Sequence, residues 1–411
     1  MGHLLANIDL TFLIASVVKI VFLTFLVILP MVAYSVYAER RFSAVIQDRV
    51  GPNRTGIPLT LFGFKKDIQI LGIGGLTQPM ADGIKFLLKE DFTPKSVNAF
   101  YYWLAPCLTM VPALMTCVVL PFGSELRLSD LNGLLSWVYG VIGMADLPVF
   151  SSVPVPSVIA DLSVGPLYTF AIASLGVYGI VIAGWASNSK YPFLGGVRAS
   201  AQMISYELSL GLSIIPVLMV FGELNLTKMS IYQDANGWLL LPLWGEGLSL
   251  ARWVLWIPMG LSFCIFVVAM FAETNRLPFD MAECETELVA GYHTEYSSMK
   301  FALFFLGEYA AMIIGSGLAV TLFLGGWSIP FGPLIGLGYS AGDTPLWLGL
   351  LHIGVFLGKI VFFILFFILI RWTLPRFRFD QLMKLGWMVM FELALFNVVL
   401  TAFLMWLVPL K

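Results

Sequence analysis

Charge is what this sequence has least of. Of 411 residues only 23 are Lys or Arg and 25 Asp or Glu, 12% in all, about half of the roughly one quarter usual in soluble domains. That excludes a soluble enzyme, and a formal net charge of −2 offers nothing to a nucleic acid. Cysteine and histidine are also scarce. Cys107 and Cys117 share one apolar run, Cys264 lies in another and Cys284 in a connection, with no CxxC spacing, and His3, His293 and His352 are scattered. No ligand set for an iron–sulfur cluster or another metal results. No GxGxxG opens a helix after a strand, and neither GxxxxGKS nor GxxxxGKT occurs. The chain is therefore expected to bind neither a dinucleotide nor ATP.

What is abundant is apolar surface, 59% of the residues. A helix needs about 20 apolar residues to cross the hydrocarbon core of a bilayer. On that scale the chain reads as one all-α integral membrane domain with spans near 11–36, 98–122, 163–187, 199–221, 252–272, 300–325, 348–371 and 384–407. The first span has no basic segment before it and is too long for a signal sequence, so it reads as a retained helix. Lys and Arg accumulate in cytoplasmic loops. Arg40, Arg41, Arg49, Arg54, Lys65, Lys66, Lys85, Lys89 and Lys95 fill the first connection, and Lys190, Arg198, Arg276, Arg371, Arg376, Arg378 and Lys384 fall in the third, fifth and seventh. The opposite side keeps little beyond Arg127, Lys228, Arg252 and Lys411. Both termini are thus expected outside. Leu134 to Ile159 is apolar too, but Pro148, Pro154 and Pro156 argue against a ninth continuous helix. It reads as an outer-face insertion.

The first cytoplasmic loop, residues 37–97, opens with Glu39-Arg40-Arg41 and continues through Arg49-Val50-Gly51-Pro52-Asn53-Arg54. Within it, Thr77 to Glu90 predicts a short amphipathic helix, with Thr77 as N-cap and Pro79 in the first turn. Met80, Ile84, Leu87 and Leu88 share one face, and Asp82, Lys85 and Lys89 another. Such a helix is too short to span and is expected in the interface plane. It serves either as an anchor or as one wall of an opening for an amphiphile arriving from the bilayer.

Carboxylates concentrate in a second cytoplasmic loop, residues 273–297, where Glu273, Asp280, Glu283, Glu285, Glu287 and Glu295 accompany a single Arg276. An exposed acidic loop is the plain reading. Apolar neighbours (Leu277, Phe279, Leu288, Val289) and acids inside adjacent spans speak against it. Those intramembrane acids are Glu207, Glu308 and Glu392. Counted from Ala199 and Ser298, Glu207 lies roughly 12 Å and Glu308 roughly 15 Å deep at 1.5 Å per residue. An ionised acid there costs at least about 2.5–3.5 kcal/mol, so each must meet a cation, water or a proton. The series suits a proton route from the loop to Glu207 and Glu308, in which coupled carboxyls share protons. Lys359, with His352 seven residues before it, either meets a partner or neutralises one of the glutamates.

Arranged in order along most of the chain, these segments resemble the H-subunit family of respiratory complex I, the proton-pumping NADH:quinone oxidoreductase. The resemblance rests on Glu39-Arg40-Arg41, Arg49 to Asn53 and Gln78 to Glu90 of the first loop, on Gly184 to Tyr191, on Arg198-Ala199-Ser200-Ala201-Gln202 through Ser205-Tyr206-Glu207, on Ala272 to Tyr296, and on Leu374 to Met383. It implies an eight-helix membrane protein that docks a peripheral arm and forms the mouth of a quinone chamber. It further implies Arg40, Arg49, Ala81, Asp82 and Lys85 near the quinone entrance, with Phe301 and Phe305 along the tail passage. Glu207, Glu273, Glu283, Glu285, Glu287, Glu295 and Glu308 match the family's acidic funnel, and Arg276 and Asp280 belong to the same loop. Iron–sulfur clusters and FMN are then expected only on partner subunits, and antiporter-like and small membrane subunits complete the assembly in a bacterial plasma membrane. The chain departs from the family in extra residues near Leu61–Gly75, Gly123–Asp161 and Gly222–Leu250. The homologous component of a membrane-bound hydrogenase or ferredoxin-linked complex is the nearest alternative. A stand-alone proton-coupled transporter is a third reading, but no inverted repeat supports it.

Overall fold

The computed structural model describes residues 10–53, 55, 75–132, 154–245, 249–340, 342 and 344–408, with backbone alone at 10–15, 131, 250, 251, 285 and 286. Arg54, most of the expected outer insertion at Leu134–Ile159, and nearly all of the extra segment Leu61–Gly75 lie outside the described residues. Among the described residues the chain is helical, with only isolated bridges at Leu126–Val155 and Val164–Leu224.

Eight helices are long and apolar enough to cross a membrane. They are α1 (Ser16–Ile46), α3 (Ala99–Val119), α4 (Gly165–Ala186), α5 (Lys190–Phe221), α7 (Arg252–Glu273), α9 (Ser298–Phe323), α10 (Leu346–Thr373) and α11 (Phe379–Leu407). Between them lie α2 (Gln78–Leu88), α6 (Leu226–Asn236) and the single turn α8 (Glu285–Leu288). Several helices outrun their apolar cores. The first helix continues to Ile46, so Glu39, Arg40 and Arg41 ride on a helix and not on a loop. Likewise α5 begins at Lys190, and its 32 residues reach about 48 Å, well beyond a hydrocarbon core of about 30 Å.

The ninth helix is the hub. Of its apolar window 72% is buried, against 11% for α1 and 22% for α11, which form the periphery. Without a hydrophobic drive between helices in lipid, small residues let backbones approach closely. A Cβ on Gly179 of α4 would stand 2.8 Å from the backbone nitrogen of Thr109 on α3. A Cβ on Gly195 of α5 would meet the backbone nitrogen of Tyr292 at 2.7 Å, so this glycine seats the acidic loop against the bundle.

That loop is not an exposed acidic segment. Gln202 of α5 donates its amide to the carbonyls of Ala272 and Phe279, both at 2.7 Å, and to Asn275 Oδ1 at 3.2 Å. Met281, Ala282 and Tyr292 are fully buried. The loop gathers at one end of the bundle with α2, the end of α1 and the α10–α11 connection, where Phe377 N donates to Pro278 O at 3.3 Å. At the opposite end α6 docks through Gln233, whose amide donates to Thr321 O at 2.8 Å.

Candidate functional site

A cavity of about 1240 Å³ opens between the last turns of α1, the short α2, the start of α9 and the end of α10. It exists because α2 is held off the bundle and yet tethered to it. Arg40 Nη1 of α1 pairs with Asp82 Oδ2 of α2 at 2.6 Å, and Gln78 Nε2 donates to Asp82 Oδ1 at 3.0 Å. Ser298 Oγ, at the start of α9, donates to Phe86 O at 2.8 Å. The expected N-cap Thr77 spends its hydroxyl elsewhere, on Thr55 O at 3.0 Å. Meanwhile Met80, Leu87 and Leu88 stay exposed, at 52%, 69% and 82%, an apolar edge fit for the bilayer interface.

The wall of the cavity has two characters. Phe301 and Phe305 meet with their rings tilted and centroids 4.6 Å apart, and Phe86 of α2 lies 6.5 Å from Phe301, making an aromatic passage. Deeper in, Glu39 is 8% exposed and surrounded by donors. The Tyr309 hydroxyl and the Arg371 guanidinium hydrogen-bond it, and Arg276 Nη1 lies 3.7 Å from its Oε2.

Arg276 is the link to the membrane interior. Its other guanidinium nitrogen, Nη2, lies 3.9 Å from Glu308 Oε2, and its carbon stands 3.9 Å above the Tyr309 ring. Burial works against its charge, but Tyr309, Glu308 and Glu283 outweigh it and hold the guanidinium protonated. Glu308 accepts the Tyr292 hydroxyl at 3.0 Å and hydrogen-bonds the Glu283 carboxyl. Beyond it a second cavity, about 110 Å³, is lined by Glu207, Glu273 and Glu308 with Thr109, Thr169 and Asn275. One carboxyl oxygen of Glu273 is buried with no hydrogen-bond partner among the described residues.

The loop beside this pair of cavities carries its own perturbed groups. Burial pushes Asp280 up to about 7, assisted by Glu308 and opposed by Arg376, whose Nη2 lies 2.9 Å away, and by Arg276. Burial pushes His293 down to about 4, which leaves it neutral 3.5 Å from Glu283 at physiological pH. The Tyr292 phenol is held protonated by burial and by the adjoining Glu308 and Glu283.

The residues expected at the quinone entrance divide. Arg40, Arg49, Asp82, Phe301 and Phe305 line the large cavity, whereas Ala81 and Lys85 sit on the exposed side of α2 and do not. Of the acidic set, Glu207, Glu273, Glu283 and Glu308 gather around Arg276 and the inner cavity, with Asp280 beside them. Glu287 is instead held at the surface by Arg198 at 2.6 Å. Glu295 lies on the α3 side, its carbonyl accepting the Tyr102 hydroxyl at 2.6 Å. The Glu285 side chain lies outside the described residues. Reading the sequence did not single out Glu39, Tyr309, Arg371 or Tyr292. Glu39 opens the Glu39-Arg40-Arg41 segment with nothing local to set it apart, and Arg371 reads in the sequence only as a marker of orientation. No periodicity signals the two tyrosines.

Lys359 does not take the course of neutralising Glu207, Glu308 or Glu392. Its ammonium donates to three carbonyls, of Leu324, Gly326 and Ser328, at 2.7, 2.8 and 2.7 Å, and lies 4.1 Å over the Trp238 ring. It thus caps the end of α9, at the other end of the bundle from the acidic loop. His352 is likewise engaged by Ser124 and Leu337 O, at 2.9 and 3.3 Å.

The family model for NADH dehydrogenase matches residues 18–402. The NADH-quinone oxidoreductase H subunit of Leptospira biflexa is 45% identical over 390 residues, covering 95% of this chain and 94% of the relative. The first H subunit of Geobacter metallireducens is 42% identical over 385 residues, 94% and 95% of the two chains. The first H subunit of Cytophaga hutchinsonii is 41% identical over 382 residues, 93% and 94%. On a match of this extent, the chain belongs to the NADH dehydrogenase family, with the H subunits of NADH-quinone oxidoreductase among its members.

Proposed function

We propose that this chain is the membrane component of a proton-translocating NADH-quinone oxidoreductase in which quinone enters the large cavity and its reduction is coupled to proton movement through the acids behind it. The observation that carries the reading is the ladder Glu39–Arg276–Glu308, a buried cation 3.7 and 3.9 Å from two carboxylates, one in each cavity. A quinone fits the first cavity by its chemistry. The aromatic passage of Phe86, Phe301 and Phe305 accepts an isoprenoid tail, and the polar end around Glu39, Tyr309, Arg40 and Arg371 accepts the headgroup. Electrons reach it from an iron–sulfur cluster on a peripheral partner.

Reduction of the quinone adds two electrons, so the headgroup beside Glu39 carries negative charge until two protons arrive and give the neutral quinol. Arg276 keeps its proton and can answer only by redistributing its contacts between Glu39 and Glu308. A change in that sharing alters the proton occupancy of Glu308 and, across the inner cavity, of Glu207 and Glu273, because close carboxyls titrate as a coupled set. Antiporter-like and small membrane subunits receive the signal. The assembly resides in a bacterial plasma membrane with both termini of this chain on the outer face.

The test is Glu207→Gln in the assembled complex, reading quinone reduction and proton translocation in inverted membrane vesicles. The expected result is a loss of at least about tenfold in translocation or coupled turnover with normal subunit content. Unchanged proton pumping removes Glu207 from the route.

A further inference from the structure

The third intramembrane acid, Glu392, belongs to neither cavity. It lies thirteen residues after Phe379 and fifteen before Leu407 in α11, about 20 Å from either end at 1.5 Å per residue, the depth of the bilayer midplane. Its direction is fixed by the opposite face of the same helix. Ala394, Asn397 and Thr401 are buried against α5 and α7. The Asn397 amide donates to Pro258 O at 3.0 Å and Ser262 Oγ at 2.8 Å. Five residues earlier is a rotation of about 140°, and Glu392 accordingly emerges exposed. Around it Met388, Leu395, Phe396 and Val399 are at least half exposed, at 64%, 50%, 60% and 62%.

No hydrogen bond or ion pair engages Glu392 among the described residues. Three lysines of other spans are committed elsewhere, and Lys384 of α11 itself lies eight residues, about 12 Å, before Glu392. Lys19 donates to Pro156 O and Val158 O, Lys300 pairs with Asp91, and Lys359 holds its three carbonyls. The six residues before Phe391, Leu385–Met390, are π-helical, a local rewinding often found where a helix face must be re-aimed for function. Lipid tails offer a carboxylate no donor and no charge, and acids at this depth almost always face protein or water.

We infer that the outer face of α11 docks a transmembrane helix of another protein in the assembly, and that this helix carries a Lys, Arg or His at the depth of Glu392. The apolar flank of Met388, Leu395, Phe396 and Val399 supplies the packing, and the Glu392 pair sets register and partner, as single polar positions do in helix pairs. The inference rests on the chain being one component of a larger complex.

The test uses the whole complex in its native membrane, with p-benzoylphenylalanine at Leu395 and, separately, Glu392→Gln and Glu392→Lys. Photo-cross-linking followed by peptide mass spectrometry is expected to capture one transmembrane segment with a basic residue within a turn of the cross-linked site. The Glu392→Lys variant is expected to retain that partner at least about fivefold less well on purification, and Glu392→Gln to weaken retention less. Cross-linking to lipid alone, or to a segment with no basic residue, overturns the inference while co-purification of the peripheral subunits leaves the coupling reading standing. A chain that purifies alone overturns both.

Discussion

A guanidinium keeps its proton at any physiological pH, so Arg276 acts through position and not through titration. Its two carboxylate partners sit on different helices, Glu39 on α1 and Glu308 on α9, and the Tyr309 ring under it leaves little freedom to move elsewhere. Arg276→Gln removes the shared charge and leaves two buried acids to be neutralised by protons alone. In assembled complex, quinone reduction by NADH is expected to fall at least about tenfold, while reduction of a hydrophilic acceptor that bypasses this chain stays normal. Equal loss of both rates points to failed assembly instead.

Asp280 and His293 add a pH signature to the same loop. Burial takes Asp280 from 3.8 to about 7 and His293 from 6.5 to about 4. Between 3.8 and about 7 folded Asp280 holds a proton that the unfolded chain has lost, so its contribution to stability falls as pH rises. Between about 4 and 6.5 the unfolded chain holds a proton on His293 that the fold excludes, so that contribution rises with pH. The two slopes offset up to 6.5, and above it Asp280 acts alone. Thermal unfolding in mild detergent is expected to be nearly flat from pH 4 to 6.5 for this pair and to weaken towards pH 7. Asp280→Asn should instead gain stability up to pH 6.5 and then level off. The same profile in both proteins removes Asp280 as the source.

At the scale of elements, the acidic loop owes its place to α5. Gln202 holds two loop acceptors and the last turn of α7, and Gly195 lets the loop backbone come within contact distance of the helix. Gly195→Val puts a branched side chain where a Cβ alone would stand 2.7 Å from Tyr292 N. The loop has to shift, at a cost of about 1–3 kcal/mol typical of overpacking, and Tyr292 carries Glu308 with it. A lowered unfolding temperature together with slower quinone reduction is expected. Native turnover in the variant would mean that the loop tolerates displacement. The segment Ala272 to Tyr296 stands out by its acid content, and its apolar residues argue against a solvated loop, but nothing in it says what covers it. The hydrogen bonds that bury it come from a residue seventy positions away, and no local pattern announces them.

For the molecule as a whole, the arrangement of charge across the membrane is open to direct measurement. The reading of basic loops as cytoplasmic assigns Lys89 to the inner face and Lys228 to the outer. Lys228→Cys is expected to react with an impermeant maleimide in intact cells, and Lys89→Cys only after the membrane is opened. The reverse pattern inverts the topology and the direction assigned to the proton route.

Run length and composition along one dimension were enough for eight spans, for placing Glu207, Glu308 and Glu392 within them, and for the order of motifs that marks the family. Depth in a membrane is a count of residues along a helix, so no fold is needed to obtain it. Azimuth is different. In a soluble helix an apolar stripe reveals the inner face, but here lipid and protein neighbours are both apolar and the stripe disappears. Packing alone therefore decided that Glu308 turns inward to Arg276 and Glu392 outward, that Lys359 caps a helix end and pairs with none of Glu207, Glu308 and Glu392, and that Ala81 and Lys85 point away from the cavity that Arg40 and Asp82 line.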